Sequence, residues 1–246
     1  MFLKFRPLLQ SFIFIFGLEF ILFRPDSFML VMIFLLMVSA YGSRKIGGRW
    51  FFSVLPIFFT FSSLALLYLI TLEFEQQIFI ALASVMYYLS LLGAYRLGIY
   101  AGDKTARGMN MAAMAATIFF TCAGAYGLYL NFFVPLYYLM LVYLIVTLLV
   151  SYQYFSIIQS DNKKRAWTYS FLLALVMTEL IWTMNFWPFG YLTTGVIALI
   201  LYYVLWDLVQ SYFLNILSKK RVVANMIFFS VLTVIVLLSA KWLPVV

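Results

Sequence analysis

The stretch Phe132-Phe-Val-Pro-Leu-Tyr-Tyr-Leu-Met-Leu-Val-Tyr-Leu-Ile-Val-Thr-Leu-Leu-Val-Ser-Tyr-Gln-Tyr-Phe155, followed shortly by Lys163-Lys-Arg165, decides the fold. It holds 24 residues without a charge. As an α-helix it is about 36 Å long at roughly 1.5 Å per residue, enough to cross a hydrocarbon core of about 30 Å. The basic triplet behind it is what a membrane span leaves in the cytoplasm. The same reading extends along the chain. Charges and turn formers cut it into nine apolar segments, approximately 7–23, 27–43, 50–71, 77–98, 109–130, 132–155, 166–186, 191–217 and 222–243.

Composition agrees. Of 246 residues, 66% are hydrophobic and 10% charged, where soluble domains are typically about 25% charged. So few charges cannot clothe a water-soluble exterior. The expected fold is all-α: a polytopic transmembrane helix bundle of about nine spans, forming one integral membrane domain over 1–246. Spans 1 and 2 are short, so a shallow helical hairpin stands beside two full crossings. Lys4 and Arg6 precede span 1 as in a signal peptide, but Glu19 interrupts the apolar run and no small-residue cleavage site follows; the segment is expected to stay as a helix.

Basic residues orient the bundle. Of 16 Lys and Arg, 14 fall on one side of a nine-span path: Lys4 and Arg6; Arg44, Lys45 and Arg49; Arg96, Lys104 and Arg107; Lys163, Lys164 and Arg165; Lys219, Lys220 and Arg221. Only Arg24 and Lys241 fall on the other. The positive-inside rule then places the N-terminus in the cytoplasm and the C-terminus outside, as an odd number of spans requires. The net charge of +8 is explained by this partition beside anionic lipid, so the expected partner is the bilayer and not nucleic acid. Trp50, Trp167, Trp187 and Trp242 fall near span ends, at headgroup depth.

Several chemistries are excluded by what is missing. The chain has no histidine and one cysteine, Cys122, so an internal disulfide and the usual imidazole or thiolate metal sites lack ligands. No phosphate-binding loop or dinucleotide fingerprint occurs, and the loops are too short for a nucleotide-binding domain. No cofactor, metal site or catalytic residue is expected. Cys122, inside Phe119-Phe-Thr-Cys-Ala123, reads as a small buried hydrophobe.

Two packing patterns stand out. Arg49, Arg107, Arg165 and Arg221 are spaced 58, 58 and 56 residues apart, one out-and-back hairpin per interval. Duplicated hairpins and a period set by bilayer thickness alone both account for this. Span 5 concentrates small residues, with Ala112/Ala116 and Ala123/Gly127 as small-xxx-small pairs. Such pairs let helix backbones approach closely, which marks span 5 as the most enclosed and leaves spans such as 2 and 9 facing lipid.

Three carboxylates lie within spans: Glu19, Glu179 and Asp207. An intramembrane acid is costly and by default marks a pathway, a ligand site or a helix lock. Glu179 lies 14 residues past Arg165, and Glu19 lies 13 past Arg6, so both reach about 20 Å from the basic side. Asp207 follows Tyr191 by 16 residues, near the cytoplasmic interface, which argues against a Glu179–Asp207 dyad. Thr178, Trp182, Thr183 and Asn185 cluster in sequence around Glu179, making it the leading candidate. The substrate or ion pathway is therefore expected among Glu179, Glu19, Asp207, Trp182, Asn185 and Thr178.

The run Glu179-Leu-Ile-Trp182 followed by Trp187-Pro-Phe-Gly-Tyr191 resembles a motif in uncharacterised multi-pass membrane proteins of candidate-phylum bacteria. The likeness covers chiefly the last third of the chain. It implies a bacterial plasma (inner) membrane and no particular activity. The leading functional expectation is a permease for a small solute or ion. A noncatalytic assembly or scaffold subunit with membrane-protein partners is the second. An intramembrane enzyme acting on a lipid-linked substrate is the third, with Glu19 or Glu179 as its base; the missing histidine and the absence of clustered carboxylates weigh against it.

Overall fold

A computed structural model describes residues 5–100, 102–158 and 162–240, and every regular element among them is helical. The long helices are α1 (Phe5–Phe23), α2 (Phe28–Gly47), α3 (Val54–Leu69), α4 (Glu73–Ile99), α5 (Lys104–Phe132), α6 (Leu136–Ile158), α7 (Lys163–Met184), α8 (Tyr191–Phe213) and α9 (Lys219–Ser239). Short 3-10 turns at Pro25–Ser27 and Trp50–Ser53 lead into α2 and α3. Among the described residues, nine helical segments are long and apolar enough to cross a membrane, the first two included. Lys4, Lys241 and Trp242, used above for topology and interface anchoring, lie outside the described residues.

The chain divides into two compact units, Met1–Phe120 and Thr121–Val246, with α5 contributing residues to both. In the first unit α1 and α2 pack against each other and against α4, and α3 packs on α2 and α4. Phe14, Leu18, Leu35, Leu55, Phe59, Tyr87 and Leu91 fill the centre, each no more than 2% exposed. The Tyr87 ring stacks on Phe14 with centroids 4.4 Å apart. A phenol buried this deeply needs a hydrogen-bond partner. Ser39 Oγ supplies one at 2.9 Å and is itself 2.8 Å from Thr60 Oγ1, so α2, α3 and α4 share one polar knot.

Local chemistry ends each helix. Gly48 takes φ +73° just after α2, and its N–H donates to the Arg44 carbonyl at 2.9 Å. That left-handed conformation is open to glycine without steric cost, and Arg44 and Lys45 favour the negative end of the helix dipole. Arg44 also lies 4.3 Å over the Trp50 ring, which fastens the indole beside the charged turn. At the far end of α4, a β-carbon at Gly98 would lie 2.7 Å from the Gly47 carbonyl oxygen, so α2 and α4 touch backbone to backbone there.

Asp103 joins α4 to α5. Its Oδ1 accepts the Ala106 N–H at 3.1 Å as the cap of α5, and its Oδ2 accepts Arg96 Nε at 2.7 Å. The Ala106 N–H, and then the Arg96 guanidinium, hold the carboxyl below the usual carboxylate range. A carboxyl with a depressed folded-state pKa contributes stability that is full above its unfolded pKa, about 3.9, and is lost as pH falls through the folded value. Between about pH 5 and 3, wild type is expected to lose more of its thermal midpoint than Asp103→Asn does. Equal acid-side losses would show that Asp103 does not set this dependence.

In the second unit α6 packs along α7, and α8 packs on α7 and α9. The Tyr143 hydroxyl donates to the Cys122 carbonyl at 2.8 Å, and Ser151 Oγ lies 2.9 Å from the Tyr202 hydroxyl. Cys122 is buried as a small apolar residue. The stretches Trp50–Leu69 and Lys104–Phe132 are equally buried, at 61% each, so span 5 shares first place with span 3. By contrast, none of Val222–Ser239 is buried. α8 stops at Phe213, short of the expected 217. Asn215 adopts φ +55°, its N–H bonds to Tyr212 and that of Ile216 bonds to Ser211, which together form a Schellman stop.

Candidate functional site

Helix geometry separates the residues gathered around Glu179 in sequence. Neighbours one apart point about 100° away from each other, so only i+3 and i+4 share a face. Accordingly, Thr178 is buried and donates its hydroxyl to the Ala174 carbonyl of its own helix at 2.8 Å, whereas Glu179 is exposed. Trp182 shares the Glu179 face, is 48% exposed and stands edge-on to Phe186. The Thr183 hydroxyl likewise turns back, to the Leu180 carbonyl at 2.7 Å. Asn185 caps α7, its backbone N–H bonding to Ile181 at 3.0 Å. Thus Glu179 and Trp182 form an outward pair while Thr178 and Asn185 serve the helix.

Asp207 has a different setting. It is 7% exposed on α8, and its Oδ2 accepts the side-chain amide of Asn225 on α9. Asn225 came from no motif; its only signal was a carboxamide side chain in the final span, the one there. Trp206, Gln210 and Ser211 lie at i−1, i+3 and i+4 from Asp207, on one contiguous arc of α8. Trp206 Nε1, Gln210 Oε1 and Ser211 Oγ are buried and make no hydrogen bond in the structure. Buried polar atoms are nearly always satisfied in proteins, by protein or by water, so this arc has capacity for polar ligands beyond what the helices use. Tyr154 of α6 meets the Trp206 ring at 5.1 Å, and Phe229 of α9 meets the Tyr203 ring at the same distance, closing the arc with aromatic walls.

Glu19 belongs to the first unit. Half-buried on α1, it accepts Gln77 Nε2 of α4 at 3.2 Å. The pair sits in a groove of about 420 Å³ between α1 and α4, whose walls include Leu8, Ile15, Ile80 and Val85. Among the described residues, no three His, Cys, Asp or Glu side chains converge as a metal site would require.

A family model described as "Protein of unknown function (DUF5656)" matches residues 13–239. No curated protein and no solved structure matches the chain.

Proposed function

We propose, for a chain that belongs to the DUF5656 family, that it is a multi-pass permease for a small solute or ion, with Asp207 as the group that meets the permeating species. The observation that carries this is a buried intramembrane carboxylate beside Trp206, Gln210 and Ser211, whose buried polar atoms are left over from helix packing. A carboxylate in such a place is expensive unless it is paired or used. Asn225 provides the pairing, and the adjoining polar arc provides donors and acceptors for water or a cation. Of the six pathway candidates, Asp207 therefore leads, and Glu179 becomes an outward-facing group.

The second reading, an assembly subunit, draws on that outward pair. Glu179 and Trp182 present an acid and an indole on one exposed face, where a partner helix with a polar group would relieve the carboxylate. The test between the two is proton flux into proteoliposomes, followed with a trapped pH-sensitive dye under an imposed potassium-diffusion potential. The permease reading expects flux in wild type and its loss in Asp207→Asn; the same flux in protein-free liposomes and in wild type overturns it.

The proposed setting is the bacterial plasma membrane, as the resemblance of the Glu179–Tyr191 run implies, with a cytoplasmic N-terminus, supported by the 14-to-2 partition of basic residues. In a Cys122→Ser background, Thr71→Cys is expected to react with an impermeant maleimide in intact cells, and Lys164→Cys only after permeabilisation. Both positions are exposed, so accessibility reports the side of the membrane. The reverse pattern inverts the topology, and labelling of both in intact cells overturns the odd number of crossings expected between them.

A further inference from the structure

The geometry points to the α1–α4 groove as a binding site for a long-chain amphiphile carrying a protonated or quaternary amine, with the amine at Glu19. This inference is independent of the permease reading, which rests on the other unit. Leu8, Ser11, Phe12, Ile15 and Glu19 recur at helical spacing along α1, facing Gln77, Ile80, Ala81, Ser84, Val85 and Tyr88 of α4. From Leu8 to Glu19 the groove runs about 16 Å along the helix, close to half of a hydrocarbon core of about 30 Å. That is the reach of one aliphatic chain. The volume of about 420 Å³ lies within the usual range for small-ligand sites.

The walls are more apolar than their composition implies. Ser11 donates to the Pro7 carbonyl at 3.0 Å and Ser84 to the Ile80 carbonyl at 2.6 Å, so both hydroxyls are turned into their own helices. What remains along the length suits methylene groups, which gain roughly 0.8 kcal/mol each on burial from water. The one charged group of the lining sits at one end, where Glu19 holds Gln77. No lysine or arginine lines the groove, and Arg24, just past the end of α1, lies outside its lining.

This charge pattern selects the headgroup. A carboxylate beside apolar walls attracts an ammonium in a low dielectric more strongly than it does in water. Glu19, with no basic side chain in the lining to offset it, repels a phosphate, so a zwitterionic phospholipid is a poorer occupant than a simple cationic amphiphile. Gln77 already donates one amide hydrogen to Glu19, which orients the carboxylate without neutralising it.

The test uses the full-length protein in phosphatidylcholine nanodiscs, with a fluorescent dodecylamine and the matching dodecanol as probes. Saturable binding of the amine, at least tenfold tighter than the alcohol, is expected. Glu19→Gln should abolish that tenfold preference while keeping a hydrogen-bonding side chain opposite Gln77. Gln77→Ala should preserve the preference, because the carboxylate remains. Ala81→Trp, which fills the groove from α4, should block both probes. Thermal midpoints of the three variants within a few degrees of wild type confirm that binding, not folding, is being read. Equal binding of amine and alcohol to wild type, an unchanged preference in Glu19→Gln, or stronger competition by phosphatidylethanolamine than by dodecylamine overturns the proposal.

Discussion

Gly195→Leu is expected to cost the protein several kcal/mol of stability, and Gly195→Ala about 1–3 kcal/mol, the usual range for overpacking. Gly195 lies on α8 where that helix meets α5. A β-carbon added there would stand 2.7 Å from the Ala123 β-carbon and 3.0 Å from the Ala123 α-carbon. The obstruction is therefore backbone and a methyl fixed to it, with no flexible side-chain end to swing aside. Ala123 is 0% exposed, so its methyl has no open space to move into. Gly17 shows the opposite case. There the three atoms nearest an added β-carbon all belong to the outer part of the Leu35 side chain, not to backbone. Gly190 has nothing within 4 Å and provides the neutral control. Thermal denaturation in one detergent should rank the variants Gly190→Ala, Gly195→Ala, Gly195→Leu in order of falling midpoint. A Gly195→Leu midpoint equal to wild type would mean that α5 and α8 do not approach as closely as this geometry requires.

The small residues of span 5 thus pointed to a real close approach at Ala123, yet its partner Gly195 was not legible. A small-residue pair shows that a helix can be approached, while the identity of the visitor depends on three-dimensional packing. The helices themselves were readable because apolar length and bounding charge are one-dimensional properties. Helix ends were less so: α8 stops at Phe213 because Asn215 turns left-handed, a conformation accessible to asparagine but not announced by it. The site was the hardest part. Depth along a span follows from counting residues, but rotation about the helix axis does not. Thr178 and Glu179 are adjacent in sequence and share a depth, yet one is buried and the other exposed. The Asp207 hydrogen bond was not legible because Asn225 lies 18 residues away on the next helix.

That Asp207–Asn225 bond carries the second large effect, and it separates a helix lock from a permeation site. Interhelical hydrogen bonds in membranes are worth about 0.6 kcal/mol on average and up to about 1.7. Asp207→Leu and Asn225→Leu are each expected to lose stability, because each leaves one member of the α8–α9 hydrogen bond facing an apolar side chain; the penalty for such a loss is about 1–3 kcal/mol. The double Leu variant should recover part of that loss, since both members of this hydrogen bond are replaced together by apolar side chains. α9 makes the readout sensitive, because none of its apolar stretch is buried and α8 is its principal neighbour. Asp207→Asn keeps an oxygen that can accept from Asn225 and removes only the charge and the exchangeable proton. If Asp207 serves permeation, Asp207→Asn retains a near wild-type thermal midpoint while proton flux falls at least tenfold, and the double Leu variant is stable but silent. If Asp207 only fastens α9, flux in Asp207→Asn equals wild type and stability alone responds across the cycle.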